Sequence, residues 1–319
     1  MIRVAAIDCG TNSVRLLVAD IGRDRLIDLE RRMEIVRLGQ GVDETGRLAP
    51  EALERTFAAM RGYAGLIEEH GASSVRVVAT SATRDAANRQ DFVDGVRDIF
   101  GVEPEVITGA EEAELSFAGA TRDLVRFSHE TGLPAPDGTR PPYLVVDIGG
   151  GSTEFVLGSA HVEAALSVDI GCVRLTERHL RGAGDPPSAG AIEAMTADID
   201  DALDRVAAEV PVERALTMVG LAGSVTTVAG MALELPEYDP KKIHHSRITA
   251  GQVHDIAERL LGMTVERRAA IPLMHPGRVD VIGAGALILD RIVTRYGFGD
   301  VVASEHDILD GIAWSVADS

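Results

Sequence analysis

Two aspartates stand in matching surroundings in the two halves of this chain. Tyr143-Leu-Val-Val-Asp-Ile-Gly-Gly-Gly-Ser-Thr-Glu-Phe-Val156 is an apolar run ending in Asp147, then three glycines, two hydroxyl residues and a second apolar run. Val4-Ala-Ala-Ile-Asp8-Cys-Gly10-Thr-Asn-Ser13-Val-Arg15-Leu-Leu-Val18 repeats the order strand, Asp, Gly, hydroxyl, strand. A buried strand delivers each carboxylate to its tip, and a turn without Cβ atoms can aim N–H groups at an anion. Either turn alone reads as an ordinary hairpin whose Asp satisfies the backbone. The duplication favours a site, because two carboxylates are the protein's share of a Mg²⁺ site completed by water and phosphate oxygens. Thr11, Asn12 and Ser13, with Gly149, Gly150, Gly151 and Ser152, form the candidate phosphate cradle. A Walker loop is excluded, since GxxxxGK[ST] occurs nowhere. Arg15 reads equally as a phosphate ligand and as a solvated strand position.

A third carboxylate stands apart from the turns. In Thr108-Gly-Ala-Glu-Glu-Ala-Glu114, Thr108 and Glu111 have the spacing of a capping box, which assigns Glu111 to the helix start. Glu112 is not needed for capping and projects from a different face. There it is the candidate to polarise a water for attack on phosphorus, against the plain reading of a glutamate favoured by the helix dipole. Arg84 and Asn88, four apart at a helix start, offer one anion-binding face. Lys241-Lys-Ile-His-His-Ser-Arg247 is the densest basic segment and reads as a solvated loop or as part of a polyanion track. Its two histidines lack a partner at zinc-ligand spacing. Val279-Asp-Val-Ile-Gly283-Ala-Gly285-Ala-Leu-Ile288 imitates a dinucleotide fingerprint, but its third glycine is Ile288, so it reads as close helix packing. Cys9 reads as a small buried hydrophobe.

The elements that must position these residues follow from periodicity and punctuation. Strands are expected up to Asp8, over Val14–Ile21 and over Arg25–Leu38. Pro50 opens and Gly71 closes a helix. A strand at Ser74–Ala79, a helix ended by Gly101, a strand at Glu105–Ile107 and a helix over Ala110–Phe127 complete βββαβαβα. Ser128–Pro142 has loop composition. The second half repeats the order, with strands at Tyr143–Ile148, Thr153–Leu157, Val162–Val168, Ala215–Val219 and Asp300–Ala303. Its helices are expected at Cys172–Leu180, up to Val210, and at Ala250–Gly262, Gly285–Tyr296 and Asp307–Val316. The expectation is two α/β domains, residues 1–128 and 129–303, with a cleft between them and helix 304–319 packing back on the first.

The chain has 319 residues, 45% of them hydrophobic and 25% charged, as in ordinary globular proteins. A net charge of −19 disfavours nucleic acid and anionic membranes as partners, so handling a polyanion would require a metal and local Arg or Lys. Two cysteines without CxxC spacing exclude zinc and redox motifs. With no apolar run long enough to span a bilayer, a cytoplasmic location is expected.

The paired hairpins and twin halves resemble the actin/Hsp70/sugar-kinase superfamily, two actin-like, ribonuclease H-like domains with an interdomain active-site cleft. Asp8-Cys-Gly-Thr-Asn-Ser-Val-Arg15, Ala79-Thr-Ser-Ala-Thr-Arg84, Ile107-Thr-Gly-Ala-Glu-Glu-Ala113 and Asp147-Ile-Gly-Gly-Gly-Ser-Thr-Glu154 resemble, in order, motifs of the exopolyphosphatase/guanosine pentaphosphate phosphohydrolase (Ppx/GppA) family. Gly220–Gly230 and Gly283–Asp290 match its later glycine motifs. The resemblance implies Mg²⁺- or Mn²⁺-dependent hydrolysis of a terminal phosphoanhydride and a homodimer. It makes Glu112 the base, Asp8 and Asp147 the metal residues, and Gly149–Ser152 and Arg84 the phosphate contacts. The chain looks like the short, two-domain form, so short inorganic polyphosphate is the expected substrate. The alternatives are pppGpp, a weakly hydrolytic polyphosphate- or (p)ppGpp-binding sensor, and a sugar or acetate kinase using Gly220–Gly230 as a nucleotide loop. Ala303–Gly311 lacks the Leu-Arg pair usual in the family before that glycine.

Overall fold

The computed structural model describes residues 1–22, 25–131 and 138–318. The chain forms two compact units, residues 1–119 with 308–319, and residues 120–307. Each is an α/β unit built on one mixed sheet.

In the first unit the strands are β1 (Ile2–Cys9), β2 (Ser13–Ile21), β3 (Leu26–Ile35), β4 (Ser74–Ala79) and β5 (Glu105–Val106). The helices are α1 (Val42–Thr45), α2 (Pro50–His70), α3 (Ser81–Asp85), α4 (Arg89–Phe100) and α5 (Gly109–Thr131), which continues into the second unit. The sheet order is β3-β2-β1-β4-β5. Strands β1, β2 and β3 form an antiparallel meander, while β1, β4 and β5 run parallel. Alternation along β1 assigns its side chains to two faces. Ala5 and Ile7 join the core with Met60, Tyr63, Phe92 and Val96 of α2 and α4. Val4 and Ala6 join the opposite core with Ile308, Ile312 and Trp314. Helix α2 has Pro50 at its first turn, Gly71 at φ 67 after its last, and one buried stripe from Leu53 to Ile67.

The second unit contains β6 (Tyr143–Ile148), β7 (Thr153–Gly158), β8 (Val162–Val168), β9 (Thr217–Leu221), β10 (Arg247–Thr249) and β11 (Asp300–Ala303). Its helices are α6 (Cys172–Leu175), extended by a π turn over Thr176–Leu180, then α7 (Ala189–Glu209), α8 (Ala222–Ala232) and α9 (Pro240–Ile243). Helices α10 (Ala250–Leu261), α11 (Val265–Ala269) and α12 (Ile282–Tyr296) follow, and α13 (Ile308–Asp318) belongs to the first unit. The order β10-β11-β9-β6-β7-β8 is the first unit's order with one antiparallel strand added at the edge. Both sheets therefore carry the ribonuclease H-like arrangement expected from the duplicated pattern.

Several expected elements change. The expected loop Ser128–Pro142 begins inside a helix, since residues 128–131 belong to α5; residues 132–137 lie outside those described. The basic run is not an open loop: it holds α9 and β10, the latter paired with β11. The segment after β4 is two helices, because Ala86 at ψ 128 leaves the helical region between Arg84 and Asn88. Helix α13 is tied down by Asp310, which is buried and accepts a 2.6 Å bond from Arg31 of β3. A side chain at Gly311 would overlap the carbonyl of Leu115, so glycine permits α13 to lie directly against α5. Among the described residues no helix is long and apolar enough to cross a membrane.

Candidate active site

The two aspartate turns are built alike, down to one hydrogen bond. Gly10 N–H donates to Ser13 O at 3.0 Å, and Gly149 N–H donates to Ser152 O at 3.0 Å. Each turn also has its carbonyls drawn to one side by a neighbouring segment. In the first, Thr11 O accepts from Gly39 N–H, and Asn12 O accepts from both Val36 and Arg37 N–H. Two consecutive donors on one carbonyl require a sharp bend, which Arg37 supplies at φ 53, an uncommon conformation for a non-glycine residue. In the second, Gly149 O accepts from Cys172 N–H, Gly150 O from Val173 and Arg174 N–H, and Gly151 O from Arg174 Nε. A Cβ on Gly171 would overlap Gly150, so α6 can approach the turn only through glycine. A trans peptide directs its N–H opposite to its C=O. With the carbonyls held back, the N–H groups of Asn12 and Ser13, and of Gly150, Gly151 and Ser152, point the other way. This is the geometry of an anion nest.

Behind the turns the two hairpins differ in charge. Asp8 and Arg15 are directly opposite on β1 and β2, and Arg15 donates through Nη2 at 2.6 Å and Nε at 2.9 Å to Asp8 Oδ2. Arg15 is thus neither a solvated residue nor simply a phosphate ligand; it neutralises Asp8. The same register on β6 and β7 sets Asp147 opposite Glu154. Both are buried, with Asp147 7% and Glu154 1% exposed. Opposed residues in an antiparallel pair have Cβ atoms about 4.5–5.5 Å apart, so this hairpin sets two carboxylates side by side. Glu154 Oε1 accepts from Ser152 Oγ and Ser167 Oγ, each at 2.7 Å, which fixes its direction. The Ser152 hydroxyl therefore orients Glu154, leaving its N–H to the nest. Motif reading passed over Glu154 as a site residue; aligning the hairpins position by position would have found it, seven residues after its Asp as Arg15 is after Asp8.

The third carboxylate is positioned as its spacing predicts. Glu111 accepts from Thr108 N–H at 2.8 Å, and Glu111 N–H donates to Thr108 Oγ1 at 3.2 Å, a complete capping box. The backbone N–H of Thr108, with its hydroxyl next, holds the Glu111 carboxyl below the usual range. Glu112 projects elsewhere, is 8% exposed, and accepts from Arg84 Nη1 at 3.0 Å. The same Nη1 donates to Ile107 O at 3.0 Å, which locks Arg84 between the end of β5 and the start of α5. Helix α3 that carries Arg84 is joined to the first turn by Thr11 Oγ1 and Ser81 Oγ at 2.8 Å. Asn88 does not share an anion face with Arg84: its side chain accepts from Leu48 N–H and donates to Leu48 O. Burial, then Asp8, pushes the Cys9 thiol well up, and burial pushes Cys172 up to about 11, so neither is a thiolate nucleophile at neutral pH.

The carboxylates suit a hard divalent cation. Among the described residues no three His, Cys, Asp or Glu side chains gather as a complete metal cage. Oxygen donors in ones and twos are what Mg²⁺ uses when substrate phosphates and water complete its shell.

Residues 17–315 match the Ppx/GppA phosphatase family. The chain is 48% identical to exopolyphosphatase 2 of Mycobacterium tuberculosis, over 99% of this chain and 98% of that protein. It superposes on the crystal structure of an exopolyphosphatase-like protein with a TM-score of 0.91 at 41% identity, covering 99% of both chains. The Aquifex aeolicus Ppx/GppA enzyme gives a TM-score of 0.79 at 31% identity, over 98% of this chain and 99% of that one. With the motifs, the duplicated fold and these similarities in agreement, the chain belongs to the Ppx/GppA phosphatase family.

Proposed function

We propose that this protein is an exopolyphosphatase that removes the terminal orthophosphate of inorganic polyphosphate with Mg²⁺ or Mn²⁺. The observation that carries the reading is Glu112, excluded from capping by Glu111 and held by Arg84 at 3.0 Å. A carboxylate oriented in this way accepts the proton of a water as its oxygen bonds to the terminal phosphorus. The bridging P–O bond breaks, and its electron pair leaves with the shortened chain. Positioning and electrostatic stabilisation supply most of the rate in phosphoryl transfer. Here the N–H groups of Asn12, Ser13, Gly150, Gly151 and Ser152 would bind phosphate oxygens, and Arg84 would share charge between Glu112 and the phosphoryl group. Asp147 and Glu154 would hold the metal, with Asp8, already neutralised by Arg15, in a lesser part. Bound there, the metal would neutralise charge on the phosphates. The names of relatives, exopolyphosphatase 2 among them, support polyphosphate as the substrate.

Orthophosphate release from short polyphosphate, long polyphosphate and pppGpp, with and without Mg²⁺, tests this reading. Metal-dependent release from the ends of polyphosphate is expected. Release from pppGpp alone would move the activity to the nucleotide, and release from none would make the protein a binding protein.

A further inference from the structure

The two turns are held by different kinds of group. Thr11 O and Asn12 O of the first accept from the backbone N–H groups of Gly39, Val36 and Arg37. In the second, a side chain takes part: Gly151 O accepts from Arg174 Nε at 2.7 Å. The backbone N–H of the same residue donates to Gly150 O at 3.1 Å, beside Val173 N–H at 2.9 Å. Cys172 N–H donates to Gly149 O at 3.0 Å. Each carbonyl shares a planar peptide with the N–H of the next residue. Cys172 therefore sets the direction of Gly150 N–H, and the Val173 and Arg174 backbone sets that of Gly151 N–H. The Arg174 side chain sets that of Ser152 N–H.

The last of these constraints is the one a side-chain substitution removes. Gly149, Gly150 and Gly151 are consecutive, and residues without Cβ pass readily between backbone conformations. The peptide that follows Gly151 is thus held from outside the turn. Helix α6 is seated firmly enough to hold it. A Cβ on Gly171 would lie 2.3 Å from Gly150 O, and the Thr153 hydroxyl of β7 donates to Ile170 O just before the helix. After Arg174 the Thr176 hydroxyl donates to Cys172 O at 2.6 Å, where the helix widens into its π turn. The Arg174 side chain is 13% exposed, with Nη2 4.0 Å from Asp169 Oδ1.

We propose that Arg174 is a positioning residue of the second nest, acting through the Gly151 carbonyl to aim Ser152 N–H at a phosphate oxygen. The proposal rests on the exopolyphosphatase reading above, which puts phosphate at that nest. It assigns the effect to the Nε–H donor and not to the positive charge, and side-chain chemistry separates the two. Glutamine carries its Nε2 donor as many bonds from Cα as arginine carries Nε, without the charge. Lysine keeps the charge but has a methylene at that place. Methionine matches the reach and has neither. All three keep the backbone N–H that holds Gly150 O.

The test is KM and kcat for short polyphosphate with wild type, Arg174→Gln, Arg174→Lys and Arg174→Met, at saturating Mg²⁺. KM should rise about tenfold in Arg174→Lys and Arg174→Met, the weight of one charge-assisted bond, with kcat changed far less. Glutamine should restore most of that loss, holding the rise to about threefold. Deuterium exchange over Gly150–Thr153, measured without substrate, should quicken in the lysine and methionine variants and much less in Arg174→Gln. Both of those variants lack the donor, so either carries the test should the other melt early. A KM raised in Arg174→Gln and kept by Arg174→Lys overturns the proposal, since charge would then be the contribution. An equal rise in all three overturns it too, as does a KM that none of them moves. A wild type that releases no phosphate from polyphosphate overturns instead the function on which the proposal rests, while exchange still reads the lock on Gly151.

Discussion

Arg15 and Glu154 occupy the same place on two copies of one hairpin and carry opposite charge. One cancels the aspartate it faces; the other doubles the negative charge beside Asp147. The two hairpins, matched in motif, are thus opposite in charge, with both carboxylates of the proposed metal site's main pair on the second. Replacing Glu154 by Gln keeps the Ser152 and Ser167 hydroxyls hydrogen-bonded but removes one carboxylate. The Mg²⁺ concentration for half-maximal phosphate release should rise at least about tenfold, with a matching loss in metal binding by calorimetry without substrate. Unchanged metal affinity would return the metal to Asp147 and Asp8 alone. Arg84 shows a second lesson at this scale. Its guanidinium spans a backbone carbonyl and the Glu112 carboxylate, so it sets the direction of that carboxylate before any phosphate arrives.

At the scale of elements, short-range spacing was legible and long-range pairing was not. Thr108 and Glu111 are three residues apart, and a capping box depends on nothing further away, so the first turn of α5 could be read in advance. Strand β11 was legible to the residue because an apolar run sits between Gly299 and a polar stretch. By contrast β10 is three residues long and exists only through its pairing with β11, and the packing of the His306 ring on His244 needs residues about sixty positions apart. Residues four apart imply a shared helix face, and Arg84 with Asn88 failed that inference because Ala86 interrupts the helix. The capping box also makes a prediction with a sign. The lowered carboxyl of Glu111 contributes stability that is present above the unfolded value near 4.5 and is lost as pH falls through the lower folded value. The melting temperature of wild type should exceed that of Glu111→Ala at neutral pH, and the gap should close in acid. A gap indifferent to pH would mean that the charge is not what caps α5.

Over the whole molecule, one sheet order occurs twice, and each copy presents an aspartate and an N–H nest at the same turn. The sequence pattern reveals that duplication because buried strands and glycine turns are local signals. It does not reveal what draws the carbonyls back, since residues 36–39 and the start of α6 reach their turns across folded distance. A net charge of −19 obliges such a protein to meet a polyanion with local donors, and the proposed function assigns that part to the nests and Arg84. The proposed base, Glu112, belongs to neither turn; it rides on α5, which runs from the first unit into the second. The most direct measurement is the turnover number for orthophosphate release from polyphosphate by Glu112→Gln relative to wild type, at saturating Mg²⁺ with both proteins folded. Loss of a general base predicts a fall of about 100-fold or more, with KM changed far less. A variant that turns over within a few-fold of wild type would contradict the account.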